Sequence, residues 1–128
     1  MDYEVAIDHE NKIVCAICRG TLDMTDAMSV VKDVRSRAFE LSYAVLYDVT
    51  EASPKISFAQ AYTFPRDIKN LYTDPKHRYG KAAIVCTPGK DETFWKFLET
   101  TARNAGVLVK VFQDKSEATE WLDDDSAH

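Results

Sequence analysis

The segment 43–50 constrains the fold of this chain more than any other stretch. It reads Tyr-Ala-Val-Leu-Tyr-Asp-Val-Thr, an apolar, β-branched and aromatic run with an acid near its end. Such a run is typical of a buried strand. Helical patterns lie on both sides of it, and this alternation predicts a mostly parallel sheet. We therefore expect Asp48 at the carboxyl end of a central strand, where open α/β sheets place their sites.

Length and charge limit the classes of protein that the chain can belong to. Its 128 residues suit one domain with a full hydrophobic core. The net charge of −5 disfavours a nucleic-acid binder and a surface held to anionic lipid by charge alone. No apolar run approaches the roughly 20 residues of a membrane span, and the acidic N-terminus does not resemble a signal peptide. We expect a cytoplasmic protein with reduced cysteines, for which peripheral membrane contact stays open.

The N-terminal part of the chain predicts an antiparallel hairpin. Weak alternation over residues 3–8 indicates a first strand, and residues 13–19 form a second. The turn between them contains Asn11, a residue suited to a left-handed conformation. Gly20 is predicted to end the second strand.

Two helices are predicted around the central strand. The first begins at a cap on Thr25, ends near Phe39, and presents one apolar stripe at helical spacing. Residues 51–55 read as a loop, and a second helical pattern follows. Pro65 lies inside that pattern, where proline costs about 3 kcal/mol, so we expect a kink or two short helices.

The C-terminal part predicts two more strands and two more helices. Residues 81–86 form a strand, and a third helix begins near Asp91 and is capped by Gly106. Residues 107–112 form the last strand. Asp114 then caps a short helix whose inner edge is Ala118, Trp121 and Leu122. The order β-β-α-β-α-β-α-β-α predicts an α/β fold with a five-stranded, mostly parallel sheet and about four helices.

Several of these segments resemble one family in their order and spacing. The segments are Gly20-Thr21-Leu22-Asp23, Tyr47-Asp48-Val49-Thr50, residues 81–85, and an ending that runs from Val111-Phe112 to Trp121-Leu122. Over nearly its whole length the chain resembles the bacterial SpoIIAA-like proteins, within the STAS and SEC14 (CRAL-TRIO) group. The resemblance implies a singly wound β/α fold, here a single domain over 1–123 followed by a frayed acidic tail at 124–128.

The same resemblance implies roles without catalysis. STAS domains act as protein-interaction modules, some of them switched by phosphorylation, and SEC14 relatives hold a lipid between helices and sheet. STAS switch proteins carry Asp-Ser-Ser/Thr-Gly at the start of the helix after the central strand. This chain has Ile56-Ser57-Phe58-Ala59 there, which keeps a serine and lacks the acid and the glycine. A kinase switch is therefore disfavoured, and 128 residues leave room only for a small or partly exposed ligand.

No motif in the chain predicts metal or catalytic chemistry. Cys15 and Cys18 have the spacing of a Cys-x-x-Cys pair, but an offset of three on a strand places the two thiols on opposite faces. Pro88-Gly89-Lys90 lacks the glycine and the hydroxyl residue of a phosphate-binding loop, although Lys90 can still reach the crevice beside Asp48. We find no nucleophile with a base, so we predict no enzyme, no metal and no cofactor.

Two interpretations of the polar residues at the central strand stay open. The carboxylate of Asp48 can accept hydrogen bonds from backbone donors in the turn that follows. Alternatively, Asp48, Thr50 and Ser53 form the polar rim of a ligand or partner site.

The aromatic residues of the second and third helices also allow two interpretations. They either fill the core or line an apolar pocket, under a lid formed by the helix that is kinked at Pro65 and flanked by Tyr62 and Phe64. Trp95 falls beside the inner stripe and is predicted to be an exposed anchor for a partner or a second subunit.

These patterns together predict a non-enzymatic, STAS-like protein-interaction or regulatory module. The alternative is a carrier of a lipid or small apolar ligand in a pocket between the helices and the sheet. The expected partner is an unknown protein or a second copy of the chain, and no nucleic acid is expected. The predicted ligand- or partner-binding residues are Asp48, Thr50, Ser53, Ser57, Phe58, Tyr62, Lys90 and Trp95.

Overall fold

The computed structural model describes residues 2–71 and 81–123, and the predicted frayed tail at 124–128 lies outside them. The elements are β1 (Asp2–Asp8), β2 (Ile13–Asp23), α1 (Met24–Leu41), β3 (Ala44–Lys55), α2 (Phe58–Leu71), β4 (Ala82–Val85), α3 (Glu92–Asn104), β5 (Val109–Phe112) and α4 (Lys115–Asp123). In this part of the chain no helix has the length and apolar character needed to cross a membrane.

The strands form one five-stranded sheet in the order β1-β2-β3-β4-β5. β1 and β2 are antiparallel, and the other neighbouring strands are parallel. Each parallel strand is added on the same side of the one before it, so the sheet is singly wound. The predicted α/β class, the N-terminal hairpin and the mostly parallel sheet are confirmed.

The two faces of the sheet are covered unequally. α1, α2 and α3 pack on one face and form the larger core, to which α1 contributes Ala27, Val30, Val34 and Ala38 at helical spacing. α4 packs on the other face through Ala118 and Leu122, and Trp121 lies at the margin of that contact. Cys18 belongs to the larger core and Cys15 to the smaller one, so the two thiols lie on opposite faces as predicted.

The turn of the hairpin differs from the prediction at one residue. Lys12, and not Asn11, has the left-handed conformation, with φ of 57°. Asn11 instead donates from its backbone and its side-chain amide to the carboxylate of Asp8, at 3.0 and 2.8 Å. These hydrogen bonds fix Asn11 within the turn, and the next residue, Lys12, adopts the left-handed conformation.

The β2–α1 junction also differs from the prediction. Gly20 does not end β2: it lies within the strand with φ of 84°, and β2 runs on to Asp23. The cap of α1 is Asp23 and not Thr25. The Asp23 carboxylate accepts from the Asp26 backbone at 2.8 Å, and the Asp26 carboxylate accepts from the Asp23 backbone at 3.2 Å. Hydrogen bonding by Asp26 lowers the pKa of Asp23.

Residues 51–55, predicted as a loop, are the second half of β3. They pair with the end of β2, from Arg19 opposite Glu51 to Asp23 opposite Lys55. β4 pairs with β3 only as far as Asp48, so this half of β3 has no strand on its other side among the described residues. Pro54 is tolerated there because proline, which lacks a backbone donor, is compatible with an edge.

α2 is one helix that continues through Pro65, so the second of the two predicted alternatives, a kink or two short helices, is wrong. Proline cannot donate to the carbonyl four residues earlier, which here is that of Ala61. The hydroxyl of Thr101 on α3 donates to this carbonyl at 3.1 Å, in a buried position. The neighbouring helix therefore supplies the hydrogen bond that Pro65 removes.

The last predicted elements are present with shorter strands. β4 and β5 each have four residues. Asp91 occupies the position before α3 in a left-handed conformation, without a side-chain cap bond. Gly106 follows α3 with φ of 83°, as predicted for its C-terminal end. Asp114 caps α4 by accepting from the backbone of Ser116 at 2.7 Å.

Candidate functional site

The carboxylate of Asp48 lies at the point where β4 stops pairing with β3. One of its oxygens accepts from the backbone of Thr50 at 3.0 Å and from the hydroxyl of Thr50 at 2.7 Å. Asp48 is half-buried, and these bonds compensate for its partial loss of water. The local hydrogen-bonding interpretation of Asp48 is therefore correct, although the donor lies in a strand and not in a turn.

The carbonyl of Thr50 connects this carboxylate to the loop that follows β4. It accepts from the hydroxyl of Thr87 at 3.2 Å and from the ammonium of Lys90 at 3.5 Å. Lys90 thus reaches the crevice, as the sequence predicted. We call Asp48, Thr50, Thr87 and Lys90 the strand-end site. The sequence analysis missed Thr87. Like Asp48, it is a polar residue at the carboxyl end of an apolar strand, and this position could have identified it.

Ser53 does not belong to the strand-end site. It is exposed in the second half of β3 and is paired in register with Thr21. A strand advances about 3.3 Å per residue, so Ser53 lies roughly 16 Å beyond Asp48. No hydrogen bond joins Ser53 to Asp48 or Thr50 in the described structure. The predicted polar rim therefore contains Asp48 and Thr50 without Ser53.

Ser57 forms the N-terminal cap of α2. Its hydroxyl accepts from the backbone of Gln60 at 3.1 Å, and the side chain of Gln60 accepts from the backbone of Ser57 at 3.0 Å. This reciprocal pair is a capping box, and a serine cap stabilises a helix by about 1 kcal/mol. The same bonds fix the direction in which α2 leaves the sheet.

Phe58 and Tyr62 lie one turn apart on the outer side of α2, with 52% and 59% of their surface exposed. The ring of Phe58 packs edge-to-face on Phe97 of α3, with centroids 5.0 Å apart. Neither residue lines the cavity described below. Phe58 and Tyr62, which we call the aromatic pair, therefore belong neither to the core nor to the cavity wall, whereas Phe64, the other residue of the predicted lid, is buried and lines the cavity.

Trp95 is buried, with 4% of its surface exposed, so the prediction of an exposed anchor is wrong. α3 packs against both the sheet and α2, and its buried stripe is consequently wide enough to include Trp95 next to Phe94. The two rings meet edge-to-face with centroids 5.0 Å apart. The expected site residue Trp95 is thus part of the core.

A cavity of about 90 Å³ lies between α1, α2 and α3 and the sheet face that they cover. Its wall is almost entirely carbon. The lining includes Val30, Val31 and Arg35 of α1, Phe64 and Ile68 of α2, Trp95 and Leu98 of α3, and Tyr47, Ile84 and Val109 of the sheet. A pocket under the second and third helices was predicted, and it is present without the aromatic pair.

The cysteines have the properties of structural core residues. All three are buried and reduced. Burial raises the pKa of each thiol, and for Cys18 it raises the pKa to about 11. The thiolate, which binds metals and attacks disulfides, is therefore disfavoured. Residues 2–71 and 81–123 contain no group of three potential His, Cys, Asp or Glu metal ligands.

Comparison with known proteins identifies the fold. No known protein family and no curated protein sequence matches the chain. It is similar to an uncharacterised DUF3478-family protein with a SpoIIAA-like fold from Shewanella loihica, with a TM-score of 0.57, 18% identity, and coverage of 94% of this chain and 92% of that one. It is also similar to the unphosphorylated anti-sigma factor antagonist SpoIIAA, with a TM-score of 0.53, 10% identity, and coverage of 93% and 96%.

A third similar structure is the phosphorylated form of the Bacillus cell fate determinant SpoIIAA, with a TM-score of 0.50 and 12% identity. That alignment covers 93% of this chain and 97% of the other. The chain therefore has a SpoIIAA-like fold, and this part of the predicted resemblance is confirmed. The SEC14 part of the resemblance stays a prediction.

Proposed function

We propose that this chain is a non-enzymatic regulatory module of the STAS type that acts by binding a partner protein. The observation that carries the proposal is the exposure of Phe58 and Tyr62, 52% and 59%, on one side of α2. Aromatic side chains are enriched at protein interfaces, because they bury a large area and lose few rotatable bonds. Phe58 already rests on Phe97, so ordering it on binding costs little entropy.

A polar residue borders the aromatic pair at the start of α2. Ser57 directly precedes Phe58 and caps the helix. Interfaces commonly combine an apolar centre with such a polar, solvated border. In this proposal the aromatic pair supplies most of the binding energy.

One comparison supports this mode of action. A structure with the same fold is an anti-sigma factor antagonist, a name that describes action on another protein. The proposal takes from it only binding to a protein, without the identity of the partner. It also includes no phosphorylation switch, because the hydroxyl of Ser57 is engaged by Gln60 and lacks the neighbouring acid and glycine of STAS switches.

A capture experiment with matched variants tests the proposal. The tagged chain is used to recover proteins from the cells that produce it, in wild-type, Tyr62→Ala and Leu41→Ala forms. Leu41 is the control, because it is an exposed apolar residue at the far end of α1. We expect at least tenfold lower recovery of a defined partner with Tyr62→Ala and unchanged recovery with Leu41→Ala. Equal recovery with all three forms would contradict the proposal.

The partner can also be a second copy of the chain. Light scattering after size-exclusion chromatography then gives twice the chain mass of 14.5 kDa. Tyr62→Ala shifts that species to the monomer, whereas Leu41→Ala does not. A strict monomer that also captures no partner would refute the binding proposal in both of its forms.

A second candidate function, carriage of an apolar ligand, is supported by a different observation. The cavity between the helices and the sheet has an apolar wall and a volume of about 90 Å³. Organic extraction of the native protein followed by mass spectrometry should return a ligand in stoichiometric amount. An empty extract from protein purified without detergent would argue against carriage.

A further inference from the structure

The outer edge of β1 presents backbone groups that the sheet does not use. β1 is the end strand of the sheet, and among the described residues it pairs only with β2. The carbonyl of Lys12 accepts from Ala44 and so faces β3. Because backbone groups of successive strand residues face alternate sides, the odd-numbered residues of β2 bond to the even-numbered residues of β1. The N–H and C=O groups of Tyr3, Val5 and Ile7 therefore point outward.

The opposite edge of the sheet is treated differently. In β5 the carbonyl of Phe112 accepts from Cys86 of the loop after β4, so the neighbouring Val111 directs its backbone away from the sheet. The carboxylate of Glu99 on α3 accepts from this outward N–H group. Within residues 2–71 and 81–123, no side chain bonds in this way to the outward groups of β1. The chain thus occupies the edge at β5 and leaves the edge at β1 available to another strand.

One face of β1 is apolar and is supported by α1. The hydroxyl of Tyr3 donates to the carboxylate of Asp33 on α1 at 2.8 Å, and Val5 packs against the larger core. Tyr3 and Ile7 keep 36% and 39% of their surface exposed. An added strand with apolar side chains on this face would extend the surface that these residues form.

The other face of β1 is acidic. It carries the exposed residues Asp2, Glu4 and Asp8. Arg19 of β2 forms ion pairs with Glu4 at 3.4 Å and with Glu51 at 3.1 Å, whereas Asp2 and Asp8 form no ion pair with another described residue. The face therefore keeps a net negative charge. Two β1 strands paired antiparallel would place these acids on one common face, and like charges across a strand pair destabilise it.

We infer that β1 binds an extended segment of a partner protein in which basic and apolar residues alternate. The segment adds a sixth strand, with its backbone bonded to Tyr3, Val5 and Ile7 and its basic side chains on the acidic face. In such strand addition the backbone supplies affinity and the alternating side chains supply specificity. The acids that oppose pairing with a second copy are the groups that select the basic strand. This surface is separate from the aromatic pair, so the inference goes beyond the proposed function.

A peptide series tests the chemistry of the partner. The probe is a peptide of seven residues, the length of β1, that alternates lysine and valine and has blocked ends. It should bind about tenfold or more tightly than the same peptide with glutamate in place of lysine. A peptide of the same composition with its valines consecutive should bind as weakly as the glutamate form. Equal affinities for all three peptides would overturn the inference.

Methylation of the peptide backbone tests strand addition itself. An added strand directs alternate amides toward β1, so they belong either to all the valines or to all the lysines, depending on its direction. N-methylation of one set should therefore weaken binding about tenfold or more, and N-methylation of the other set should leave it nearly unchanged. Equal behaviour of the two methylated peptides would refute a strand at this edge.

Variants of the protein locate the site. Ile7→Pro removes one outward N–H group and should weaken binding of the lysine peptide about tenfold, whereas Ile7→Val keeps that group and the affinity. Glu4→Lys should weaken the lysine peptide and strengthen the glutamate peptide. Glu120→Lys, which makes the same charge change at an exposed position of α4, should do neither. Unaltered preference in folded Glu4→Lys, or amide shift changes centred outside β1, would place the peptide elsewhere.

The mass of the protein in solution tests a second copy as the occupant. Light scattering after size-exclusion chromatography should give the same mass for the wild type, Ile7→Val and Ile7→Pro, because self-pairing at β1 is opposed by its acids. A dimer that Ile7→Pro alone dissociates would put a second copy at this edge and overturn the inference.

Discussion

The hydrogen bond from Thr101 to the carbonyl of Ala61 makes a sharp prediction about how a proline is accommodated in α2. Thr101→Val replaces the hydroxyl by a methyl group of nearly the same size and leaves this carbonyl buried without its donor. Leaving a buried acceptor without a partner costs about 1–3 kcal/mol, and we expect about 2 kcal/mol here. Thr101→Ser, which keeps the hydroxyl, is the matched control.

The same hydrogen bond should be worth less when the proline is removed. In Pro65→Ala the backbone of residue 65 regains an N–H group, which can donate to the carbonyl of Ala61 in the ordinary helical pattern. Adding Thr101→Val to Pro65→Ala should therefore cost less than about 0.5 kcal/mol. The coupling free energy between the two positions is then about 1.5 kcal/mol, within the range for residues that share one partner.

Urea denaturation of the four proteins, followed by circular dichroism, measures these free energies of unfolding. The hydroxyl of Thr101 also lies 3.0 Å from the carbonyl of Leu98 in its own helix. That contact does not depend on Pro65, so a loss arising from it would be the same in both backgrounds. Equal costs of Thr101→Val with and without Pro65 would refute the reasoning.

Three further predictions concern the smaller core under α4, the stability of the protein in acid and the reactivity of Cys18. Trp121→Ala should lower the free energy of unfolding by about 2 kcal/mol in urea, because the half-buried ring packs on Phe112; a loss below 0.5 kcal/mol would show that α4 is loosely docked. Hydrogen bonds from Arg37 and then Tyr3 hold the pKa of Asp33 below its ordinary value. The contribution of Asp33 to stability is therefore complete above the ordinary aspartate pKa near 4 and is lost as the pH falls through the lowered pKa of the folded state. Asp33→Asn should consequently flatten the dependence of Tm on pH between about 2 and 4. An unchanged slope would show that Asp33 does not cause the loss of stability in acid. Cys18 is buried, and burial raises its pKa to about 11. Its thiol should therefore react at pH 8 only in molecules that have opened transiently; rapid labelling of the native protein at this residue would contradict its burial.

The architecture was predictable because the hydrophobic pattern of the strands and helices is simple. Residues 43–50 form an apolar run between two helical stripes, and the stripe of α1 has the predicted spacing from Ala27 to Ala38. The opposite placement of Cys15 and Cys18 followed from the period of a strand alone. The local bonding of Asp48 followed from the tendency of aspartate to accept from the backbone two residues later.

The second half of β3 was not predictable from its own sequence. Residues 51–55 read Glu-Ala-Ser-Pro-Lys, and their intrinsic preference is for a loop. Pairing with the end of β2 overrides this preference, and the pairing depends on contacts between residues about 32 positions apart along the chain. The prediction that Gly20 ends β2 was wrong for a related reason. A glycine inside a strand cannot be distinguished by sequence from a glycine that ends one.

The site residues were harder to predict than the elements, because they depend on how the helices are rotated and packed. The apolar residues of α3 fit more than one stripe, and only its contact with both the sheet and α2 places Trp95 inside. The exposure of Phe58 and Tyr62 follows from the same packing. The cavity arises from the combined shapes of three helices and a sheet, so no single segment encodes it.

The proposed protein-binding role depends most directly on what lies against Tyr62 in the cell. A photo-crosslinking amino acid is placed at position 62, and at position 41 as the control, in the full chain expressed in its own cells. Irradiation should give one discrete covalent adduct from position 62, containing a partner protein or a second copy of the chain, and none from position 41. The absence of any adduct at position 62, or the same adducts from both positions, would contradict the proposal that the aromatic pair is an interface.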